Sequence, residues 1–315
     1  MFVRISPHHL VVALHDGLGR GGQLTEGTAV MMRLTDSHYR QHVVPYYKAW
    51  ESRFGYAALL GRTRHFGWYE PGHNAWKFAA AMRRMELVVV RKLALQAGAS
   101  VLDAGCGAGD VARTVARAGS VHVTGIDGIG SDIARARQRS ARAGEPGRRT
   151  RFLAGDYHAL PFADASFDGV YTMESFVHSP EPAQGLAEFF RVLRPGGRLV
   201  MSEYSSTPQD QLTPRARSAL LRVCALSAMP GMLTMTHGRL EELLQQAGFV
   251  VESVYDATEK ILPMLRCFSR LGQLPYALAR GVGRGDYLVN AMGGVEMYRH
   301  QEAWRYGMCV AAKPR

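Results

Sequence analysis

The chain has 315 residues, 47% hydrophobic and 21% charged, the proportions of a folded protein with a sizeable core rather than a disordered or fibrous one. No apolar run approaches the roughly 20 residues a membrane helix needs, and the four cysteines (Cys106, Cys224, Cys267, Cys309) lack the C-x-x-C spacing of a zinc site or redox pair. The formal charge of +11 raises nucleic acid, a diphosphate or an anionic membrane surface as partners, although the arginine cluster "RARQRSARAGEPGRRTR" (135–151) also suits a solvated helix face.

Residues 1–34, with "GLGRGGQLTEG" at their centre, read as a leader without sustained periodicity, and "HHLVVALHDG" within them is too short and too interrupted for a secretory signal. A cytoplasmic enzyme is the expectation. Residues 35–98 read as an aromatic helical cap. It comprises "YRQHVVPYYKAWESRFGYAALL", bent at Pro45, the loop "RHFGWYEPGHN", and the helix "AWKFAAAMRRMELVVVRKLALQAG", closed by Gly98. From residue 99 to the end, strands and helices alternate. The strands are "SVLDAG", "VHVTGID", "TRFLAGD", "FDGVYTM", "RLVMSEY", one within "GFVVESVYDA", and "WRYGMCVAAKP". Such alternation implies crossover helices and a parallel sheet covered on both faces, an α/β fold. Two helical insertions, about 208–236 and 259–302, have the length of segments that roof an active site.

"VLDAGCGAGD" (101–110) runs a strand into a glycine-rich turn and a helix start, where backbone amides can approach a ligand. Alone this pattern also fits dinucleotide-binding folds. Asp103 ahead of the glycines suits an ammonium better than a pyrophosphate. Asp127 ends the second strand, where it can bond ribose hydroxyls. After the third strand, Asp156 could accept from an exocyclic amine and Tyr157 lie along a purine. Each has a plainer reading, Asp103 as a turn residue and Tyr157 as core, but together at successive strand ends they point to an adenosine ligand.

"VLDAGCGAG", "GID", "GDYHALPF", "FDGVYTMES" and "RVLRPGGRLVMSE", in this order and spacing, resemble the class I S-adenosylmethionine-dependent methyltransferases over roughly residues 85–205. The resemblance implies a Rossmann-like seven-stranded sheet with its last strand antiparallel. It implies S-adenosylmethionine as cofactor and S-adenosylhomocysteine as product. The methionyl group would lie on the loop Gly105–Cys106–Gly107, the ribose on Asp127 and the adenine beside Asp156 and Tyr157, with Gly128 and Met173 as further neighbours. Cys106 reads as a small loop residue, not a nucleophile.

"MESFVHSPEPAQGLAEFFRVLRPGGRL" and the aromatic segments "PYYKAWESRFG" and "HFGWYEPG" further resemble the sterol C24-methyltransferases and bacterial prenyl C-methyltransferases. That branch implies methylation of an isoprenoid double bond through a carbocation. The chemistry needs a dry cavity, ring faces to stabilise positive charge, and a carboxylate to stabilise the cation or remove a proton. Tyr46, Tyr47, Trp50, Phe66, Trp68 and Tyr69 are candidates for the faces, of which two or three are expected to touch substrate and the rest to pack in the core. Glu174 is the candidate carboxylate, with His178 orienting it or passing the proton on. The plainer readings are a Glu174 that binds the methionyl ammonium or a backbone amide, and a His178 that caps a turn.

No (N/D)-P-P-(Y/F/W) motif or Pro-Cys pair of the nucleic-acid methyltransferases is present, so no nucleic-acid partner is expected. The expected partner is a small isoprenoid. No metal site is expected in the protein itself, though a diphosphate acceptor could bring Mg²⁺ with it. The leader could pack on a neighbouring protomer, giving a homo-oligomer. Two other functions fit: an O- or N-methyltransferase of a natural product, and a basic RNA-binding protein of methyltransferase fold.

Overall fold

The computed structural model describes residues 63–315. Segments 1–34 and 35–62, and with them Tyr46, Tyr47 and Trp50, lie outside the described residues. Helix α1 (Phe78–Leu93) leads into seven strands: β1 (Ser100–Ala104), β2 (His122–Asp127), β3 (Thr150–Ala154), β4 (Phe167–Met173), β5 (Leu193–Ser206), β6 (Val250–Asp256) and β7 (Trp304–Ala312). They form one sheet in the order β3-β2-β1-β4-β5-β7-β6. The first five pair in parallel, and β7 is inserted antiparallel between β5 and β6. This is the α/β fold that the strand–helix alternation implied, in the seven-stranded form with an antiparallel last strand that the methyltransferase resemblance implied.

The central strands are buried on both faces because alternate side chains feed two cores. Val101, Tyr171, Val200 and Val310 point to one core with Val89, Val115 and Ile133. Leu102, Val170, Leu199 and Cys309 point to the other with Leu186 and Phe189. Helices α2 (Asp110–Gly119), α3 (Gly130–Ala141) and α5 (Pro182–Val192) supply these packing faces, and the short α4 (Glu145–Arg148) precedes β3. Strand order reverses between β1 and β4, where the connections leave in opposite directions and open a crevice beyond the carboxyl ends. The glycine loop after β1 and Glu174 after β4 both stand there.

Between β5 and helix α8 (Arg239–Gln246) lie α6 (Pro214–Leu226) and α7 (Pro230–Thr234). Between β6 and β7 lie the long α9 (Thr258–Gly281) and α10 (Val289–Arg299), and α10 packs against both α9 and α6. One local reading differs from the sequence expectation, and two further helix ends are set by pairing and by a turn. Helix α1 ends at Leu93 because Ala94 takes the left-handed cap at φ 49°, leaving Gly98 in the loop before β1. The helix from Pro182 stops at Val192, since Leu193 already pairs with Phe167 in the sheet. The basic run 135–151 begins on α3, which ends at Ala141, and continues past Gly144 into the separate turn of α4.

The loop 64–70 lies directly on α1. Trp68 N–H donates to the Ala81 carbonyl at 2.9 Å and Tyr69 N–H to the Lys260 carbonyl at 2.9 Å, fixing it to two helices. Gly67 allows that approach: a Cβ there would meet Ala81 Cβ at 2.4 Å and the Ala81 carbonyl carbon at 2.9 Å. Gly67→Ala should therefore lower unfolding stability by about 1–3 kcal/mol through overpacking, read as a lower denaturant midpoint at unchanged slope. An unchanged midpoint would show that the loop yields without cost.

Candidate active site

The turn after β1 has two backbone anchors, the N–H groups of Gly105 and Cys106, which both donate to the Ile126 carbonyl at 2.8 and 3.0 Å. Gly105 sits at φ +87°, and a Cβ there would lie 2.3 Å from Ser175 Cβ, so the β1 and β4 loops touch at this point. Gly107 is also left-handed, at φ +50°, but a Cβ on it would meet nothing within 4 Å. Its N–H donates to Asp127 Oδ2 at 2.9 Å, and Ile129 N–H donates to Asp127 Oδ1 at 2.7 Å. Burial pushes the Asp127 carboxyl up to about 6 despite these two donors.

Gly105, Cys106, Gly107, Asp127, Gly128, Tyr157 and Met173 line a cleft of about 110 Å³. Asp103 and Asp156 are not on its wall. Asp103 is buried within β1, beside Tyr171 of β4; its Oδ2 has no hydrogen-bond partner, and burial pushes its carboxyl up to about 7. Asp156 turns outward and accepts from His158 N–H at 2.9 Å and Nδ1 at 2.6 Å. Partial burial raises its pKa, but the bonds from His158 outweigh this and hold it below the usual range. Burial drives the Cys106 thiol well up, which suits a packing residue rather than a nucleophile.

A second cavity, of about 290 Å³, lies under α6, α9 and α10. Phe66, Val177, Tyr204, Phe268, Met297 and Trp304 give it a largely apolar, ring-rich wall. Arg64, His65, Glu174 and His178 line both this cavity and the cleft, and so form the neck between them.

Glu174 is the centre of that neck. Its Oε1 accepts from Phe66 N–H at 2.6 Å and Tyr306 Oη at 3.0 Å, and its Oε2 accepts from Tyr204 Oη at 2.8 Å. Burial raises its pKa, while His65 and these three donors work in the opposite sense. Its backbone is left-handed at φ 53°, a conformation that costs a non-glycine residue about 1 kcal/mol or more. The cost is met by the surrounding bonds, among them Glu174 N–H to the Ser202 carbonyl at 2.9 Å.

Below it, Glu203 of β5 accepts from the N–H groups of Ser175, Phe176 and Val177 at 3.2, 3.0 and 3.3 Å, which pins the 3₁₀ turn Phe176–His178. Burial carries Glu203 up to about 7. His178 Nδ1 lies 2.6 Å from the Ala228 carbonyl and therefore carries a proton. Burial lowers its pKa to about 4, so the ring is neutral at ordinary pH.

Of the described aromatic candidates, Phe66 lies on the cavity wall, 5.9 Å from the Phe268 ring. Trp68 and Tyr69 do not. Trp68 stacks on Tyr255 at 5.7 Å, and Tyr69 is buried with its hydroxyl donating to the Ala75 carbonyl. The residues that sequence reasoning missed are His65, Tyr204 and Tyr306. His65 is buried, with Nδ1 2.9 Å from the Phe66 carbonyl and Nε2 3.5 Å from Glu86 Oε1. Burial lowers its pKa, yet the facing Glu86 carboxylate more than reverses this. Four arginines of the run 135–151, three of them on α3, are engaged within the protein: Arg135 with Asp132, Arg139 with Asp110, Arg149 with Glu145, and Arg137 with the Phe152 carbonyl. Among the described residues no group of three or more His, Cys, Asp or Glu is placed to hold a metal.

Residues 102–201 match the family model described as a methyltransferase domain. The chain is 35% identical over 274 residues to an S-adenosyl-L-methionine-dependent Diels-Alderase of Talaromyces variabilis, covering 85% of this chain and 94% of that one. It is 34% identical over 202 residues to an O-methyltransferase of Aspergillus sclerotiorum, covering 64% and 74%. To a sterol 24-C-methyltransferase of Neurospora crassa it is 30% identical over 217 residues, covering 69% of this chain and 56% of the relative. The cleft suits the cofactor of these proteins. Space stands open over Gly107 where a side chain would project, and the Asp127 carboxylate on the same wall can accept from a diol. The fold, the matched domain and the near full-length similarity agree, and the chain belongs to the S-adenosylmethionine-dependent methyltransferase family.

Proposed function

We propose that this protein methylates a carbon–carbon double bond of an isoprenoid or terpenoid acceptor. The observation that carries the reading is the Glu174 carboxylate, fixed by three donors at the neck where the cleft meets a ring-lined cavity. Asp127 holds the ribose of the cofactor, the 105–107 loop its methionyl end, and Tyr157 and Met173 border the adenosine. Bound there, S-adenosylmethionine would supply an electrophilic methyl group to the acceptor's π electrons, and would leave as S-adenosylhomocysteine with a carbocation on the acceptor's neighbouring carbon. Glu174, ionised, faces that positive charge and takes the adjacent proton, whose C–H electrons restore a double bond. Phe66, Phe268, Tyr204 and Trp304 exclude water and offer ring faces to the cation. His178, donating to the Ala228 carbonyl, shapes the turn that follows Glu174.

The described wall favours an acceptor without a charged head. Arg64 is its one arginine or lysine, and it pairs with Asp132 at 2.9 Å. A diphosphate with Mg²⁺ would need groups beyond these.

A second reading has its own support. The Diels-Alderase relative is matched over 94% of its length, which favours a cyclase that keeps the cofactor as a fixed charge. Cofactor carrying a deuterated methyl group, supplied with a panel of prenylated acceptors and linear polyenes, separates the two. Deuterium on carbon supports methylation. An isomer of unchanged mass, formed only with cofactor present, favours the cyclase, and deuterium on oxygen or nitrogen overturns both.

Asp127→Asn should weaken cofactor binding roughly tenfold to a hundredfold, by loss of a charged acceptor, measured by titration calorimetry. Equal affinity would remove Asp127 from the ribose. Glu174→Gln should keep cofactor affinity while kcat falls roughly 10²–10⁴-fold. Because burial raises the Glu174 pKa, and a base works only when ionised, kcat in the wild type should fall as pH drops through a value above the ordinary 4.5. The glutamine variant should lack that limb, and a profile unchanged by the substitution would assign the limb elsewhere.

A further inference from the structure

The outer side of α9 carries features that the reaction does not use. Leu271, Leu274 and Leu278, followed by Val282 just past the helix end, are 44%, 69%, 65% and 72% exposed. Their spacing of three, four and four places them on one side of the helix. Tyr287, in the turn that follows, is 71% exposed. Single exposed leucines need no explanation, but a continuous stripe does.

Arg266, Arg270 and Arg280 occupy the adjoining arc, and Arg284 follows the helix end. Residues 260–285 contain five basic residues and no acid. Arg266 and Arg280 stand over the rings of Tyr298 and Tyr276, at 6.0 and 5.7 Å, and none of the four arginines forms an ion pair among the described residues. On the other flank of the stripe, Leu271 and Pro275 are exposed and also line the acceptor cavity. The order around the helix is therefore cavity mouth, apolar stripe, arginine row.

We propose that this face of α9 docks on an anionic lipid surface, with the leucines entering the headgroup boundary and the arginines meeting lipid phosphates, and that the cavity takes its apolar acceptor from that surface. Charge complementarity identifies the occupant. An apolar arc flanked by arginines, with Asp286 beside Tyr287 already paired to Arg222, fits a negatively charged bilayer, whereas a purely apolar stripe would fit a second protein surface equally well. A mouth beside leucines seated in the headgroup boundary lets a water-insoluble acceptor pass without crossing solvent. Docking itself goes beyond the proposed reaction, whereas delivery of an apolar acceptor to the cavity rests on that reading.

The test uses the full chain with vesicles of phosphatidylcholine alone and of phosphatidylcholine mixed with phosphatidylglycerol. Cosedimentation is expected with the mixed vesicles only, and should weaken as salt rises. Leu274→Glu with Leu278→Glu should lower the bound fraction about tenfold or more, since each change places a charge in the boundary. Arg270→Glu with Arg280→Glu should do the same while leaving the apolar stripe intact. Both double variants should keep the wild-type denaturation midpoint. Three results would each overturn the proposal: no binding to either vesicle, a leucine variant that unfolds early because those side chains are covered by this chain itself, or a wild-type dimer that the leucine variant dissociates. Capture by an acidic carrier protein, lost in the arginine variant while vesicle binding is absent, would assign the face to that partner instead. Methyl transfer does not enter the readout, so failure here and failure of the proposed reaction remain distinct.

Discussion

The site depends on one buried carboxylate that is held by three separate parts of the chain. Glu174 follows β4, yet its oxygens are fixed by Tyr204 of β5, Tyr306 of β7 and the Phe66 amide of the loop 64–70. Tyr204 and Tyr306 face each other directly in the antiparallel register, so one slip between β5 and β7 would turn one of the hydroxyls to the opposite face. The loop amide arrives only because Gly67 lets the loop lie against α1. The left-handed backbone at Glu174 is thus the local cost of a position imposed by tertiary structure.

Around that carboxylate the protein concentrates acid where water is scarce. Burial raises the pKa of Asp103, Asp127, Glu174 and Glu203, and for Asp103 and Glu203 it carries the value to about 7. Few positive charges answer them. His65 is held by Glu86, and Arg64 by Asp132. A region with this balance is costly when empty and receptive to a cation. A cation bound in the cleft would relieve it and draw the nearby acids toward ionisation.

Much of this was legible in local sequence, because glycine and strand-end signals are local. "VLDAGCGAGD" needs only its own residues to form a strand, a left-handed turn and a helix start, and Asp127 is placed by the end of the next strand. Asp103 and Asp156 share that kind of signal, yet one faces inward and the other bonds His158, because position at a strand end does not fix where a side chain points. The aromatic run was legible as a class and not by residue. Phe66, Trp68 and Tyr69 are near neighbours, but only Phe66 meets the cavity, since the loop follows α1 rather than a regular period. Tyr204 and Tyr306 carried no motif at all. Their role arises from a pairing across about a hundred residues of chain, which no local pattern encodes.

The place of β7 has a further consequence for folding. Because β7 lies between β5 and β6, those two strands have no direct partner in each other, and the sheet stays split until the last strand inserts. The cleft is lined by residues up to His178, whereas the Tyr306 hydroxyl that helps hold Glu174 follows more than a hundred residues later. Ordering of the neck around Glu174 therefore awaits a pairing made across about a hundred residues of chain, the kind of non-local contact that forms slowly.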